Sequence, residues 1–221
     1  MLMLARTSLL RVLRPGTSIF VVGSNTGVVS SNVVSVSLTS FTAGPALTND
    51  LVIAWLATSS PFAPNTSGYT EITASNPRLR AFYKVMGSTP DTAVSWNPIP
   101  TNNGAVGGVV VLRNVTGAAG VNPIGVETTG SSTNPDPPGI SPNVDGSAIV
   151  IICGTDGVHG APIAPANYTL AGNDTSNLTN DASGWAAYRL DVAKDVTENP
   201  GAFTNVSTSS WRAVTVAISP P

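Results

Sequence analysis

The chain has 221 residues, with 10 Lys+Arg against 12 Asp+Glu and a formal net charge of −2. Only 10% of its residues are charged, where an ordinary domain carries about 25%, while Ser, Thr and Asn supply roughly three residues in ten. This excludes a charge-dense disordered segment, a nucleic-acid binder that works by neutralising phosphates, and a helical bundle whose exposed faces need Lys and Glu.

The N-terminus alternates apolar and basic residues. Leu2, Leu4, Leu9, Leu10 and Leu13 are interleaved with Arg6, Arg11 and Arg14, and the first acidic residue is Asp50. A secretory signal places its charge before an unbroken apolar core; here the arginines interrupt the run. Residues 1–16 are therefore expected to be an unprocessed arm. It would dock on a neighbouring subunit or another protein, or tuck into its own sheet as a first strand. No apolar window approaches the ~18 residues of a membrane-spanning helix, so no membrane partner is expected.

After the arm, strand-like runs follow one another between turn clusters. Val33–Leu38 alternates, Leu51–Leu56 is continuously apolar, and Leu79–Val85, Ala93–Trp96 and Val109–Leu112 follow. Ser59-Ser60-Pro61, Gly87-Ser88-Thr89-Pro90 and Asn97-Pro98-Ile99-Pro100 read as turns or loops. No segment after the arm carries a helical period, so the chain reads as all-β.

A repeat of about 100 residues is visible in four blocks. Asp50–Thr58 answers to Ser147–Thr155, and Ala63–Thr70 to Ala164–Thr169. Ala81–Val85 answers to Ala186–Leu190, and Gly108–Leu112 to Ala213–Ile218. Each half offers about four strands, too few to bury both of its faces. The expected fold is a single two-sheet, jelly-roll-like β-sandwich over 17–219, with half-repeats 17–120 and 121–219. Ser131–Gly139 is expected to cross between the halves.

In each half a Tyr-Thr element after a proline precedes an aromatic strand with a basic residue (Phe82-Tyr83-Lys84, Tyr188-Arg189), and a Val-rich strand closes the half. This pattern resembles the Gly/Thr/Ser-rich β-sandwich domains of tailed-bacteriophage virion proteins and of some secreted bacterial proteins. The resemblance covers about residues 17–219 and carries over no functional residues. It implies a module for capsid decoration, tail or fibre building, or adhesion.

Chemistry-bearing residues are few. His159 follows Asp156 in a loop, without a Gly-x-Ser-x-Gly elbow, so a Ser/His/Asp triad is not expected. Glu71, Glu127 and Glu198 show no partner spacing for glycoside hydrolysis. Asn173–Asn177 and Asn180–Gly184 hold oxygen donors suited to calcium, but Asx-turns explain them as well. Cys153 lies in the apolar run Ala148–Cys153 and reads as a core thiol. No catalysis, metal or cofactor is expected.

The expected function is a phage virion structural protein, most simply a decoration or cement protein. It would contact the major capsid protein and other virion proteins, with the arm residues Leu2, Leu4, Arg6, Leu9, Leu10, Arg11, Leu13 and Arg14 at the interface. A homo-oligomer, by preference a trimer, in the virion is expected, without nucleic-acid contact. Neutral hydroxyl and amide faces would make its contacts insensitive to salt. The alternative is a tail, fibre or surface module that binds a glycan or receptor, with Trp96, Trp185 or Trp211 stacking on a sugar.

Overall fold

The computed structural model describes residues 18–58, 63–72, 78–115, 124–178, 180–207 and 209–221. It is all-β. In the first half the strands are β1 (Phe20–Val28), β2 (Val34–Ser37), β3 (Leu51–Thr58), β4 (Thr70–Glu71), β5 (Leu79–Val85), β6 (Ala93–Trp96) and β7 (Ala105–Arg113). In the second they are β8 (Ile124–Ser132), β9 (Ser147–Asp156), β10 (Thr169–Ser176), β11 (Ala182–Val192) and β12 (Ser209–Ile218).

Each half builds its own antiparallel sheet. The first has the order β1-β7-β3-β5-β4, and the second, read from its β8 edge, runs β8-β12-β9-β11-β10. Matching strands of the repeat occupy matching places: β3 with β9, β5 with β11, β7 with β12. The chain finishes one sheet before it starts the other. Residues 131 and 132 end β8 in register with Ser210 and Ser209 of β12, so Ser131–Gly139 does not cross between halves. That connection lies between Arg113 and Ile124, because the first strand of the second sheet precedes the proline-rich stretch.

The sheets face each other across a core that includes Leu51, Ile53, Trp55, Leu79, Val110, Val150, Ile152 and Val214. Ala57, near the end of β3, lies against Gly154, near the end of β9, so the two central strands run in the same direction. β1 stacks on β10, with the Ser24 hydroxyl donating to the Ala171 carbonyl and Thr26 lying against Gly172. The two halves are therefore related by a pseudo-twofold axis along the strands, which puts β8 opposite β4.

All eight residues of β3 are buried, as its unbroken apolar run requires, because the outer face of each sheet is covered too. Over the first sheet, β2 pairs with β6 and encloses Val34, Val36, Trp96 and Ile99 with Val52, Ala54 and Val109. Over the second, the connections before β9 and before β12 meet at the Ile140–Glu198 bridge and bury Phe203, Val206 and Trp185. The left-handed residues Asn49 (φ 68°) and Gly146 (φ 77°) open β3 and β9 alike. Their amides donate to Met86 and Val192 at 2.8 and 3.0 Å.

Candidate functional site

The arm residues Leu2, Leu4, Arg6, Leu9, Leu10, Arg11, Leu13 and Arg14 lie outside the described residues. The tryptophans named for sugar stacking in the alternative reading are buried. Trp96 and Trp185 are 0% and 1% exposed, and Trp211 is 6% exposed. Trp96 packs on Gly107 of β7. Trp185 makes edge contacts with His159 and Phe203, at centroid distances of 6.3 and 5.8 Å. Trp211 covers Gly130 of β8, and its Nε1 donates to Ser132 Oγ at 3.0 Å. Their rings fill the outer layers of the two sheets, which strand periodicity alone does not reveal.

The Tyr-Thr element and the basic aromatic strand turn out to be two copies of one cluster. In the first half, Lys84 Nζ lies 5.4 Å from the Tyr69 ring centroid and donates to Asp91 Oδ2 at 2.7 Å. In the second, Arg189 Nη1 donates to Glu198 Oε1 at 2.6 Å and Tyr168 Oη donates to the same oxygen at 3.2 Å. Burial pushes both phenols up. The Asp91 charge adds to this at Tyr69; the Glu198 charge and hydrogen bond add to it at Tyr168, against a smaller lowering by Arg189. Each cluster ties the segment entering β4 or β10 to the neighbouring strand and to the loop after it.

Internal pairing extends well beyond these clusters. Glu71 receives a two-pronged contact from Arg80, Asp50 receives one from Arg113, and Arg78 binds Asp156. Of the 10 basic residues, three (Arg6, Arg11, Arg14) precede residue 18, which leaves seven. Five of those seven are engaged in these intrachain ion pairs. Glu71 and Glu198 are thus each held by an arginine.

The one histidine sits at the end of the sandwich where β3 and β9 finish. It is 8% exposed, not on a free loop as its surroundings in the sequence suggest. Its Nε2 lies 2.9 Å from the Asp156 carbonyl, which can only accept, so Nε2 carries the proton. The Asp156 carboxylate turns away to Arg78. Ser183 Oγ accepts from the His159 amide at 3.2 Å and donates to the Gly157 carbonyl at 2.8 Å. Among the described residues no nucleophile is paired with the ring: the serine hydroxyl donates to a backbone carbonyl, and the unprotonated Nδ1 of His159 is buried without a hydrogen-bond partner.

Beside it is an open cleft of about 380 Å³ lined by Arg78, Asp156, Gly157, Asn180 and Asp181. Asn180 bridges the halves, with Nδ2 donating to Asn103 Oδ1 at 2.7 Å and its carbonyl accepting from the Gly104 amide at 2.6 Å. The Arg78 guanidinium places a positive charge among the oxygens a cation would need. Asp174, in the other candidate calcium stretch, is a strand residue whose Oδ1 accepts from the Thr175 amide at 2.9 Å. Among the described residues, no three His, Cys, Asp or Glu side chains are grouped to hold a metal.

The sheet edges are unequal. β1 is broken by a bulge at Val21/Gly23, β10 by one at Leu170/Gly172, and β4 has only two residues. These are common ways to blunt an edge. β8 has none of them: it pairs with β12 without a register shift from Ile124–Ala217 to Ser132–Ser209. Among the described residues it makes no backbone hydrogen bond to any other element, and Val126 is 38% exposed. The composition gave no sign of this edge, because Ile124–Ser132 mixes Gly, Thr and Ser without an apolar alternation.

Comparison with protein-family models, with curated proteins and with solved structures returned no match.

Proposed function

We propose that the chain is a virion structural protein of a tailed phage, acting as a capsid decoration or cement protein that holds neighbouring proteins together without covalent bonds. The observation that carries this reading is the internal pairing of charge. With five of the seven later basic residues engaged inside the fold, the surface left for contacts holds few cations and is rich in hydroxyl and amide groups. Such a surface packs against protein with little positive charge to desolvate, a cost that can exceed the attraction gained. The apolar, arginine-bearing segment 1–16 supplies the anchor, and the two-sheet body supplies the rigid mass. The glycan-binding alternative loses its support with the burial of Trp96, Trp185 and Trp211.

The test is quantitative mass spectrometry of purified particles, together with incorporation of a chain lacking residues 2–15. Hundreds of copies per particle and loss of incorporation on deletion are expected. A dozen copies or fewer would move the protein to the tail, and its absence from particles would end the virion reading.

A further inference from the structure

We propose that Asn103 is a self-modifying site. When its backbone rung to the second half opens, Asn103 and Gly104 close into a succinimide, and the isoaspartyl product keeps the rung from re-forming. Asn103-Gly104 is the one Asn-Gly pair in the chain. Glycine has no Cβ to obstruct the approach of its own amide nitrogen to the preceding side chain, and its backbone turns freely. Ring closure is least hindered at such a pair. Packing explains why a glycine stands there. A Cβ on Gly104 would lie 2.5 Å from the Asn180 carbonyl oxygen and 2.9 Å from the Ala182 amide nitrogen. Both are backbone atoms, so the close approach of the two halves requires the glycine.

The same approach holds the reacting groups apart. The Gly104 amide donates to the Asn180 carbonyl at 2.6 Å, and the Asn180 amide donates to the Asn102 carbonyl at 3.1 Å. Together they form one rung of a parallel ladder between Asn103 and Asn180. The side chains repeat the link, with Asn180 Nδ2 donating to Asn103 Oδ1 at 2.7 Å. On the far side, the Gly104 carbonyl accepts from the buried Thr58 hydroxyl at 2.8 Å. One residue of the second half therefore holds both the nucleophile, the Gly104 nitrogen, and the electrophile, the Asn103 amide. Asn103 is half-buried and Asn180 is exposed, so water reaches the pair once the rung opens. While the rung is closed, the bonded Gly104 amide is protected from hydroxide.

In the open state, hydroxide removes the Gly104 amide proton and the nitrogen attacks Asn103 Cγ. The Cγ–Nδ2 bond breaks, and ammonia leaves with a proton taken from water. Water then opens the resulting imide at one of its two C–N bonds. Breaking the bond to Cγ returns an ordinary backbone with an aspartate side chain. Breaking the other routes the chain through Cγ as isoaspartate and frees the α-carboxylate. In sum, asparagine and water give an acid and ammonia, with no change of oxidation state. The isoaspartyl backbone is one carbon longer between the Cα of residue 103 and the Gly104 nitrogen. The Gly104 amide and the Asn102 carbonyl then no longer match Asn180 together, so the opening becomes permanent.

The experiment uses the purified full chain and is independent of the virion reading. Conversion at position 103 is followed by peptide mapping in mildly alkaline buffer, with a synthetic peptide of residues 100–107 as the unfolded reference. The folded chain is expected to convert about tenfold or more slower than the peptide, yet faster than its globally unfolded fraction accounts for. Asn180→Ala removes the side-chain link and should convert about threefold or more faster than the parent. Ile149→Val, a core truncation at the opposite end of the sandwich, should convert like the parent. The isolated isoaspartyl chain should have lost hydrogen-exchange protection at the Asn180 amide. If Asn180→Ala fails to fold, the comparison with the globally unfolded fraction and the exchange measurement still decide. The proposal is overturned by a folded chain that converts as fast as the peptide, or only as fast as global unfolding permits. It is equally overturned by a folded Asn180→Ala protein no faster than the parent, by an accelerated Ile149→Val protein, or by an isoaspartyl chain in which Asn180 stays protected.

Discussion

Arg113 grips Asp50 with two parallel contacts, Nε to Oδ1 at 2.7 Å and Nη2 to Oδ2 at 2.8 Å, and Asp50 itself is 1% exposed. Its Oδ2 also accepts from the Leu47 amide at 2.7 Å. The repeat puts Ser147 at the matching place, where Oγ donates to the Val144 carbonyl at 2.6 Å. One half thus opens its central strand with an ion pair and the other with a neutral hydroxyl.

The pair is asymmetric, and so are its expected mutants. Arg113→Ala strands a carboxylate with no route to water and is expected to cost about 3–5 kcal/mol. Asp50→Ser copies the second half and leaves an arginine that is a quarter exposed, so it should cost less. By contrast, Asp156→Asn breaks a pair whose members are each 38% exposed, and about 1 kcal/mol or less is expected. Urea unfolding of the three variants gives the ranking directly. An Arg113→Ala protein as stable as Asp156→Asn would contradict it.

Trp55 is wedged between the sheets, against Gly108 of its own sheet and Gly184 of the facing one. A Cβ at Gly184 would overlap the indole ring. Gly184→Ala should therefore destabilise by about 1–3 kcal/mol through overpacking. Gly87→Ala, at a position with open space around it, is the control and should be neutral or slightly stabilising. Differential scanning calorimetry separates the two.

The buried phenols set an alkaline limit. Tyr69 and Tyr168 keep their protons in the folded state at pH values where an unfolded tyrosine, near pKa 10, gives them up. Their contribution is fully present below about pH 10 and is lost as pH rises above it, by up to about 1.4 kcal/mol per pH unit for each group. Urea midpoints between pH 8 and 11.5 should fall along that course, and Tyr69→Phe or Tyr168→Phe should flatten it. An unchanged slope in both variants would show that other groups dominate.

Cys153 is 0% exposed, and burial pushes its thiol well above the ordinary range. It is expected to resist an aromatic disulfide reagent in native protein and to react fully in denaturant. The native labelling rate should rise with urea in step with unfolding. Rapid labelling without urea would mean that the second sheet opens locally.

Of the strands legible before the structure, the plainest are the ones buried on both sides. Leu51–Thr58 and Ser147–Asp156 are apolar runs at the centres of their sheets, where both faces must be covered, and the repeat between them is visible in the side chains that meet that demand. β1 and β8 were not legible. Phe20–Val28 and Ile124–Ser132 occupy matching edges, pack on fewer neighbours and so accept Gly, Ser, Asn and Thr without a period. The tryptophans left both readings open for a related reason: a ring at a strand end can be exposed or packed, depending on whether an outer layer covers it. Here that layer comes from β2 and β6 in one half and from the Ile140–Glu198 bridge in the other.

By itself, then, the sequence determined the all-β class, the twofold internal repeat and the shortage of charge, because burial periodicity and composition are local properties of the chain. Only the tertiary structure decided which charges cancel and where the tryptophans point. Arg113 meets Asp50 from 63 positions away and Arg78 meets Asp156 from 78. Nothing local encodes such pairings: the first forms when β3 and β7 pair within one sheet, and the second only when the two halves, each unable to bury its own faces, close on one another.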